Sequence, residues 1–226
     1  MSSVDGRLLT DRWTLPFDGK PKGELLGVYA AIGRNLGTDA WMFGKSTLTE
    51  GFFPRKFHAA VTDPSPRPEA YVARRLSGRL FVVADPEADI MYDSSDVRGD
   101  NIVAILPETA PAVYLEHLRR RNVSYLFAGP DGGDLPMAMR ELGEVFGVKC
   151  LSLQGGGIID GAFLQFGLID ELSLVVYPGI DGWALSPSVF EYMGADTMPA
   201  RGQSFELLSA ETLHDGVVWL RYKFHK

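Results

Sequence analysis

Apolar residues along this chain gather in short continuous runs, each closed by a glycine, a proline or an aspartate. Residues 40–43 end at Gly44, 80–84 at Asp85-Pro86, and 102–106 at Pro107. Residues 124–128 end at Gly129-Pro130, 150–153 run toward three glycines, and 172–177 end at Pro178. Runs of this length without polar alternation suit strands covered on both faces. Between them the spacing turns helical. Leu25, Leu26, Tyr29, Ile32, Gly33 and Leu36 fall on one face, as do Val113, Leu115 and Leu118 within 110–121. Leu135, Met139, Leu142 and Phe146 define a helix over 134–147, with Asp134 as its N-cap and Gly147 at its end. Phe163, Leu164 and Leu168 mark a shorter one after the glycines.

Strand alternating with helix predicts an α/β fold with a largely parallel sheet. The C-terminus departs from that rhythm. Residues 205–213 and 217–224 flank His214-Asp215-Gly216, and an Asp-Gly pair between two β-rich runs signals a hairpin. The expected architecture is αβα, a mixed and mostly parallel sheet with an antiparallel terminal hairpin. No linker, repeat or shift of composition divides the chain, so 1–226 reads as a single domain.

Composition narrows the function. Hydrophobic residues make up 46% and charged residues 23% of the 226, the balance of an ordinary globular domain. Lysine and arginine number 22 against 29 acidic residues, a net charge of −7, which argues against nucleic-acid binding. The basic clusters Arg74-Arg75 and Arg119-Arg120-Arg121 read as solvated helix faces. The one cysteine, Cys150, excludes an intramolecular disulfide and a cysteine-based zinc site, and its apolar neighbours predict a core thiol. His58, His117, His214 and His225 are scattered without ligand spacing, so no metal site is expected. No apolar stretch is long enough to span a membrane and no secretion signal opens the chain, which makes the cytoplasm the default compartment.

The segment richest in chemistry is Leu153-Gln154-Gly155-Gly156-Gly157-Ile158-Ile159-Asp160-Gly161. A strand runs through three glycines into a helix. Glycines let backbone approach a ligand, and a helix start offers free N–H groups to an anion. The same residues also suit a tight turn with no ligand, although three glycines exceed what a turn requires. The segment matches neither the GxGxxG fingerprint nor a Walker A loop.

The stretch from Gly155 to Gly182, GGGIIDGAFLQFGLIDELSLVVYPGIDG, resembles the signature of the dihydrofolate-reductase-like superfamily, and within it the reductase domain of riboflavin biosynthesis. Ser3-Val4-Asp5-Gly6-Arg7 resembles that family's S-L-D-G-R start, and Phe43-Gly44-Lys45-Ser46-Thr47 its G-R-x-T turn. The resemblance implies NADPH as hydride donor, with NADH not excluded, a pyrimidinone- or pterin-like substrate, and a homodimer. It places Gly44, Lys45, Thr47, Gly155, Gly156, Gly157 and Ile158 at the cofactor, with Lys45 beside a 2′-phosphate. It places Asp5 and Gln154 at the reacting centre. Substrate contacts would come from Ser3, from Glu24 where folate reductases put a pterin-binding carboxylate, and from the cations Arg34 and Arg55. Trp13, Trp41, Phe52 and Phe53 are aromatic candidates for stacking on a flat ring, Trp41 being better suited to the core.

Four departures qualify the match. The family's first strand lies just before S-L-D-G-R, so about six to eight residues are expected to be missing. Either translation starts upstream, or the chain is shortened, or another segment replaces that strand. Gln154 stands where those reductases carry a glutamate. Asp85 follows the second strand where a Ser/Arg pair often meets the 2′-phosphate, and an acid there would repel NADP and tolerate NAD. Thr49-Glu50-Gly51-Phe52-Phe53-Pro54-Arg55 replaces an Asp-Asp-Pro stretch. The zinc deaminase module that accompanies this reductase elsewhere is absent from the sequence. Three functions remain open: a reductase of a flat nitrogen heterocycle, a non-catalytic nucleotide- or pterin-binding protein on the same scaffold, and an assembly protein.

Overall fold

Each apolar run forms a strand close to where the pattern puts it. The computed structural model describes residues 1–58, 63, 69–74 and 78–226, so Arg75 lies outside the described residues. In chain order the elements are α1 (Lys22–Asn35), β1 (Ala40–Phe43), α2 (Lys45–Gly51), β2 (Leu80–Ala84), β3 (Asp96–Val97) and β4 (Asp100–Leu106). They continue with α3 (Ala112–Arg120), β5 (Ser124–Phe127), α4 (Leu135–Glu144), β6 (Leu151–Leu153), α5 (Gly157–Gln165), β7 (Glu171–Val176), β8 (Ser204–Thr212) and β9 (Val218–His225). The chain separates into two compact units, residues 37–155 and residues 1–36 with 156–226.

The unit 37–155 holds the parallel sheet. Its order is β3-β4-β2-β1-β6, with β5 also paired to β4. All its ladders are parallel except β3 with β4. Residues 80–83 of β2, 102–106 of β4 and all of β5 are buried, as unbroken apolar runs require when both faces are covered. Tyr114, Leu115 and Leu118 of α3 join Phe81, Val83, Ile102, Ala104 and Phe127 in one core. Each large side chain buried there contributes about 1.5–3 kcal/mol. Asp134 caps α4 by accepting from the Met137 N–H at 2.9 Å, and the helix stops at Glu144, short of Phe146. Arg120 pairs with Glu116 one turn back, on the exposed side of α3.

The thiol of Cys150 is exposed, which corrects the expected core cysteine. The reason is positional. Cys150 lies just before β6, an edge strand of half-buried residues, and its backbone is held from outside by Asp39, whose Oδ2 accepts the Cys150 N–H at 2.9 Å.

The other unit carries an antiparallel sheet of order β7-β9-β8. The predicted hairpin is β8–β9, and Asp215 and Gly216 at its turn take φ of 61° and 77°. β7 belongs with the hairpin rather than with the parallel strands, pairing antiparallel to β9 from Glu171–Lys223 to Val176–Val218. Ser2 makes a single parallel bridge to Val176, donating to the Val175 carbonyl at 2.9 Å and accepting from the Tyr177 N–H at 2.8 Å. Trp13 is 2% exposed and its ring lies 5.0 Å from that of Tyr177. It is a core residue of this unit, packed with Val175 and Val217, and not a surface for stacking a ligand.

Candidate active site

Two glycine backbones meet at the carboxyl ends of β1 and β6. The Gly44 N–H donates to the Gly155 carbonyl at 2.9 Å, and the Gln154 N–H to the Met42 carbonyl at 2.8 Å, so the ladder continues one step past the strands. Gly155 turns the chain away at φ 86°, a left-handed conformation that glycine takes without steric penalty. The place is set by topology. From β1 the chain moves to β2, β4 and β5 on one side, then returns to β6 on the other. In doubly wound sheets the crevice at the carboxyl ends of strands flanking such a reversal is where ligands bind.

Lys45 opens α2 beside this point, and its surroundings are acidic. Its ammonium pairs with Glu87, with Asp89 Oδ1 at 2.5 Å and with Asp85 Oδ1 at 3.4 Å. Lys56 binds the other Asp89 oxygen at 2.7 Å. Burial alone would lower the Lys45 pKa, but the hydrogen bonds it donates to Asp89 and Glu87 reverse that and hold it above its ordinary value. Asp85 is completely buried, and burial pushes its pKa up despite the Tyr114 hydroxyl at 2.6 Å and the nearby Lys45. Among the described residues, Asp85, Glu87 and Asp89 are the carboxylates close enough to share a cation, and the Lys45 ammonium lies among them.

The remaining candidates of this unit are placed as follows. Thr47 is half-buried on α2. The Gln154 side chain donates to Ser152 Oγ at 2.6 Å. Arg55 is exposed and paired with Asp93. Trp41 is covered by the Arg79 guanidinium, 4.6 Å from its centroid, while Phe52 and Phe53 pack against Phe81.

In the unit of residues 1–36 and 156–226, Ser3 and Asp5 come together. The Ser3 hydroxyl donates to Asp5 Oδ1 at 2.6 Å, the Gly182 N–H to Oδ2 at 2.8 Å and the Asp181 N–H to Oδ1 at 3.2 Å. These donors, Ser3 first, draw the Asp5 pKa down to about 2. Arg12 Nε forks onto Asp181 at 3.0 and 3.1 Å, and its guanidinium lies 4.5 Å from the Trp183 ring centroid. Arg7 Nη1 donates to the Ser186 carbonyl at 2.7 Å. Asp5 thus anchors the loop that presents Trp183, a 45% exposed aromatic. Sequence reasoning passed over Trp183. Its signal was the Asp-Gly-Trp string after Pro178, a turn with an aromatic at its exit. Asp5→Ala is expected to release the loop, seen as faster amide hydrogen exchange at Asp181 and Gly182. In the unmodified protein that protection should persist above the ordinary carboxylate pKa and fade as pH falls through about 2. Unchanged exchange in the variant would show that the other anchors suffice.

Glu24 and Arg34 sit exposed in the first and last turns of α1, ten residues and about 15 Å apart along the axis. Each has the charge its helix end favours, and the structure does not bring them together. Gly156 caps α5, and Ile158 in its first turn is 56% exposed. Gly157 is buried, and a Cβ there would strike the Ser188 carbonyl oxygen. Its missing side chain therefore makes room for the chain's own 188–191 segment. Asp160, in the same first turn, is a further residue that sequence reasoning left without a role. Burial raises its pKa to about 7, against the opposing pull of the Met1 amine. The signal was a lone acid in an otherwise apolar helix.

A parallel sheet with its reversal between β1 and β6, glycines at both strand ends and an antiparallel hairpin sheet mark an α/β protein of the dihydrofolate-reductase-like class. The chain belongs to the RibD C-terminal domain family, whose profile matches residues 2–219. Among solved structures it is similar to a pyrimidine reductase-like protein from Corynebacterium diphtheriae, with 17% identity, a TM-score of 0.66, and coverage of 100% of this chain and 89% of that one. RibD from Acinetobacter baumannii is 18% identical with a TM-score of 0.58, and the match covers 99% of this chain but 56% of that one. The chain thus spans a little over half the length of that protein. The riboflavin biosynthesis reductase Rib7 of Saccharomyces cerevisiae is 12% identical with a TM-score of 0.57, covering 99% of this chain and 86% of that one. No curated protein matches the chain. No helix among the described residues is long and apolar enough to cross a membrane.

Proposed function

We propose that this protein is a reductase of a pyrimidinone- or pterin-like heterocycle that draws its hydride from a nicotinamide dinucleotide. The observation that carries the reading is the pair of glycine backbones, Gly44 and Gly155, joined at the sheet's reversal point in a chain of the RibD C-terminal domain family. Neither glycine carries a side chain, which suits close approach of a pyrophosphate to their backbone. Within residues 37–155, Gly44, Thr47 and Gly155 would hold the dinucleotide. A reduced nicotinamide supplies the hydride, and the protein's share is positioning and exclusion of water.

In the unit of residues 1–36 and 156–226, Asp5 anchors the loop that carries Trp183, an exposed flat ring of the kind that stacks on a heterocycle. Gln154 offers an amide that recognises a ring without adding charge. A homodimer belongs to the same reading, supported by the exposed apolar side chains Phe205, Leu207 and Leu208 of β8. A second reading, binding without turnover, draws on Asp5 and Gln154, whose side chains already have partners within the protein.

The test is a titration of the full chain with reduced dinucleotides, followed by nicotinamide fluorescence, then addition of pyrimidinone and pterin substrates with absorbance followed. Saturable binding with turnover supports the reductase. Binding with no turnover of any such ring favours the second reading, and no binding at millimolar cofactor ends both.

A further inference from the structure

The carboxyl end of β2 is where a dinucleotide at this reversal point would place its adenosine ribose. In doubly wound sheets the strand beside the first one, on the side away from the reversal, ends near the ribose. An acidic residue there takes a free 2′-hydroxyl, whereas a basic one accommodates a 2′-phosphate. In this chain β2 is that strand, and its end is followed by Asp85, Glu87 and Asp89. Lys45 is the cation that a 2′-phosphate would need, but three carboxylates already surround its ammonium. Lys56 is likewise bound to Asp89. Two ammonium groups face three carboxylates, so among the described residues this edge carries no surplus positive charge. With Asp85 protonated, the two charges of each sign balance and a phosphate dianion still gains nothing. The residues present do not fit a 2′-phosphate.

We infer that this protein binds dinucleotides carrying a free 2′-hydroxyl on the adenosine ribose in preference to those carrying a 2′-phosphate, NADH over NADPH. The inference rests on the dinucleotide reading above and turns against the cofactor that the riboflavin reductases imply. Glu87 and Asp89 set the preference. They hold Lys45 away from the ligand and present oxygens that repel a phosphate while accepting from a ribose hydroxyl.

The experiment titrates the full chain with NADH and with NADPH at low ionic strength, where screening is least, reading nicotinamide fluorescence, with circular dichroism as a check on folding. NADH is expected to bind about tenfold more tightly than NADPH. The double variant Glu87→Gln with Asp89→Asn should move the ratio about tenfold toward NADPH by freeing Lys45. Glu87→Gln alone, whose side chain is 61% exposed, serves if the double variant does not fold. NADPH binding as tightly as NADH, or a ratio that the folded variants leave unmoved, overturns the inference while leaving the dinucleotide reading intact. Failure of the folded protein to bind either dinucleotide overturns both.

Discussion

Alanine in place of Gly157 is expected to destabilise the protein by about 3 kcal/mol. Gly157 begins α5, and its Cβ position is occupied from two directions. The Ser188 carbonyl oxygen lies inside contact distance and Glu191 Cγ would be 3.1 Å away. Neither neighbour yields easily. The Glu191 N–H donates to the Gly157 carbonyl at 2.9 Å, and the Ser188 N–H to the Glu191 carboxylate at 3.1 Å, so 188–191 is tied to the helix start and to itself. Gly161, one turn on, meets the Glu191 carbonyl in the same way. A methyl group must therefore push backbone aside, and the bonds holding that backbone are lost with the movement. Gly27→Ala is the control. It lies within α1, with nothing inside 4 Å of its Cβ position, and alanine there should stabilise by up to about 1 kcal/mol. Urea unfolding of both variants measures the contrast. A loss below about 1 kcal/mol for Gly157→Ala would mean that 188–191 relaxes freely and that the close approach is not structural.

Lys45→Met is expected to cost about 3 kcal/mol at neutral pH, with the deficit shrinking on acidification. The substitution keeps the apolar stem and removes the cation. Asp85 then stays fully buried with only the Tyr114 hydroxyl and the Asp89 and Ile90 N–H groups, at 2.6, 3.3 and 3.2 Å. Burial already raises the Asp85 pKa in the unmodified protein, and losing Lys45 raises it further. A carboxyl group whose folded pKa lies above its unfolded value, near about 3.9, binds protons more readily when folded. Its destabilising ionisation therefore sets in as pH rises from about 3.9 toward the raised folded value, and is undone as pH falls through that window. Asp89 has the opposite sign. Its pKa is held low by Lys45 and Lys56 against burial, and its contribution is lost on acidification of the unmodified protein. Both effects narrow the gap between variant and parent at acid pH. Unfolding measured at about pH 5 and at neutrality decides the matter. An equal deficit at both would mean that Asp85 does not feel the loss, and no deficit would mean that Lys45 merely decorates the surface.

Much of the fold was legible because its causes are local. The runs at 40–43, 80–84 and 124–128 are apolar without alternation, which suits strands covered on both faces. All three are strands, and β2 and β5 are buried through almost their whole length, whereas β1 buries Ala40 and Met42 and leaves Trp41 and Phe43 half-buried. Asp215-Gly216 permits two successive positive φ values, and the hairpin turns there. The glycine triplet was legible as a point of close approach, but the sequence could not tell what approaches. At Gly157 it is the chain's own Ser188, more than thirty residues later, a contact that no local pattern records. Cys150 misled for a related reason. Apolar neighbours describe a strand, but whether that strand lies at the centre or the edge of a sheet depends on which other strands pair with it.

Charge shows the division most sharply. Pattern and composition sufficed for an α/β chain of net charge −7, for most of its strands and helices, though not for α2 or β3, and for the motifs that carry family membership. By resemblance the sequence set Lys45 and Asp85, forty residues apart, at the same 2′-phosphate, one attracting it and the other repelling it. It takes the folded chain to show that the Lys45 ammonium is itself paired with Asp85, Glu87 and Asp89, and that Asp5 anchors the loop bearing Trp183. The physical reason is range. Hydrophobic periodicity and turn preferences act between neighbours in the chain, whereas Coulombic pairing and steric contact depend on distance through space, which the sheet's crossovers set.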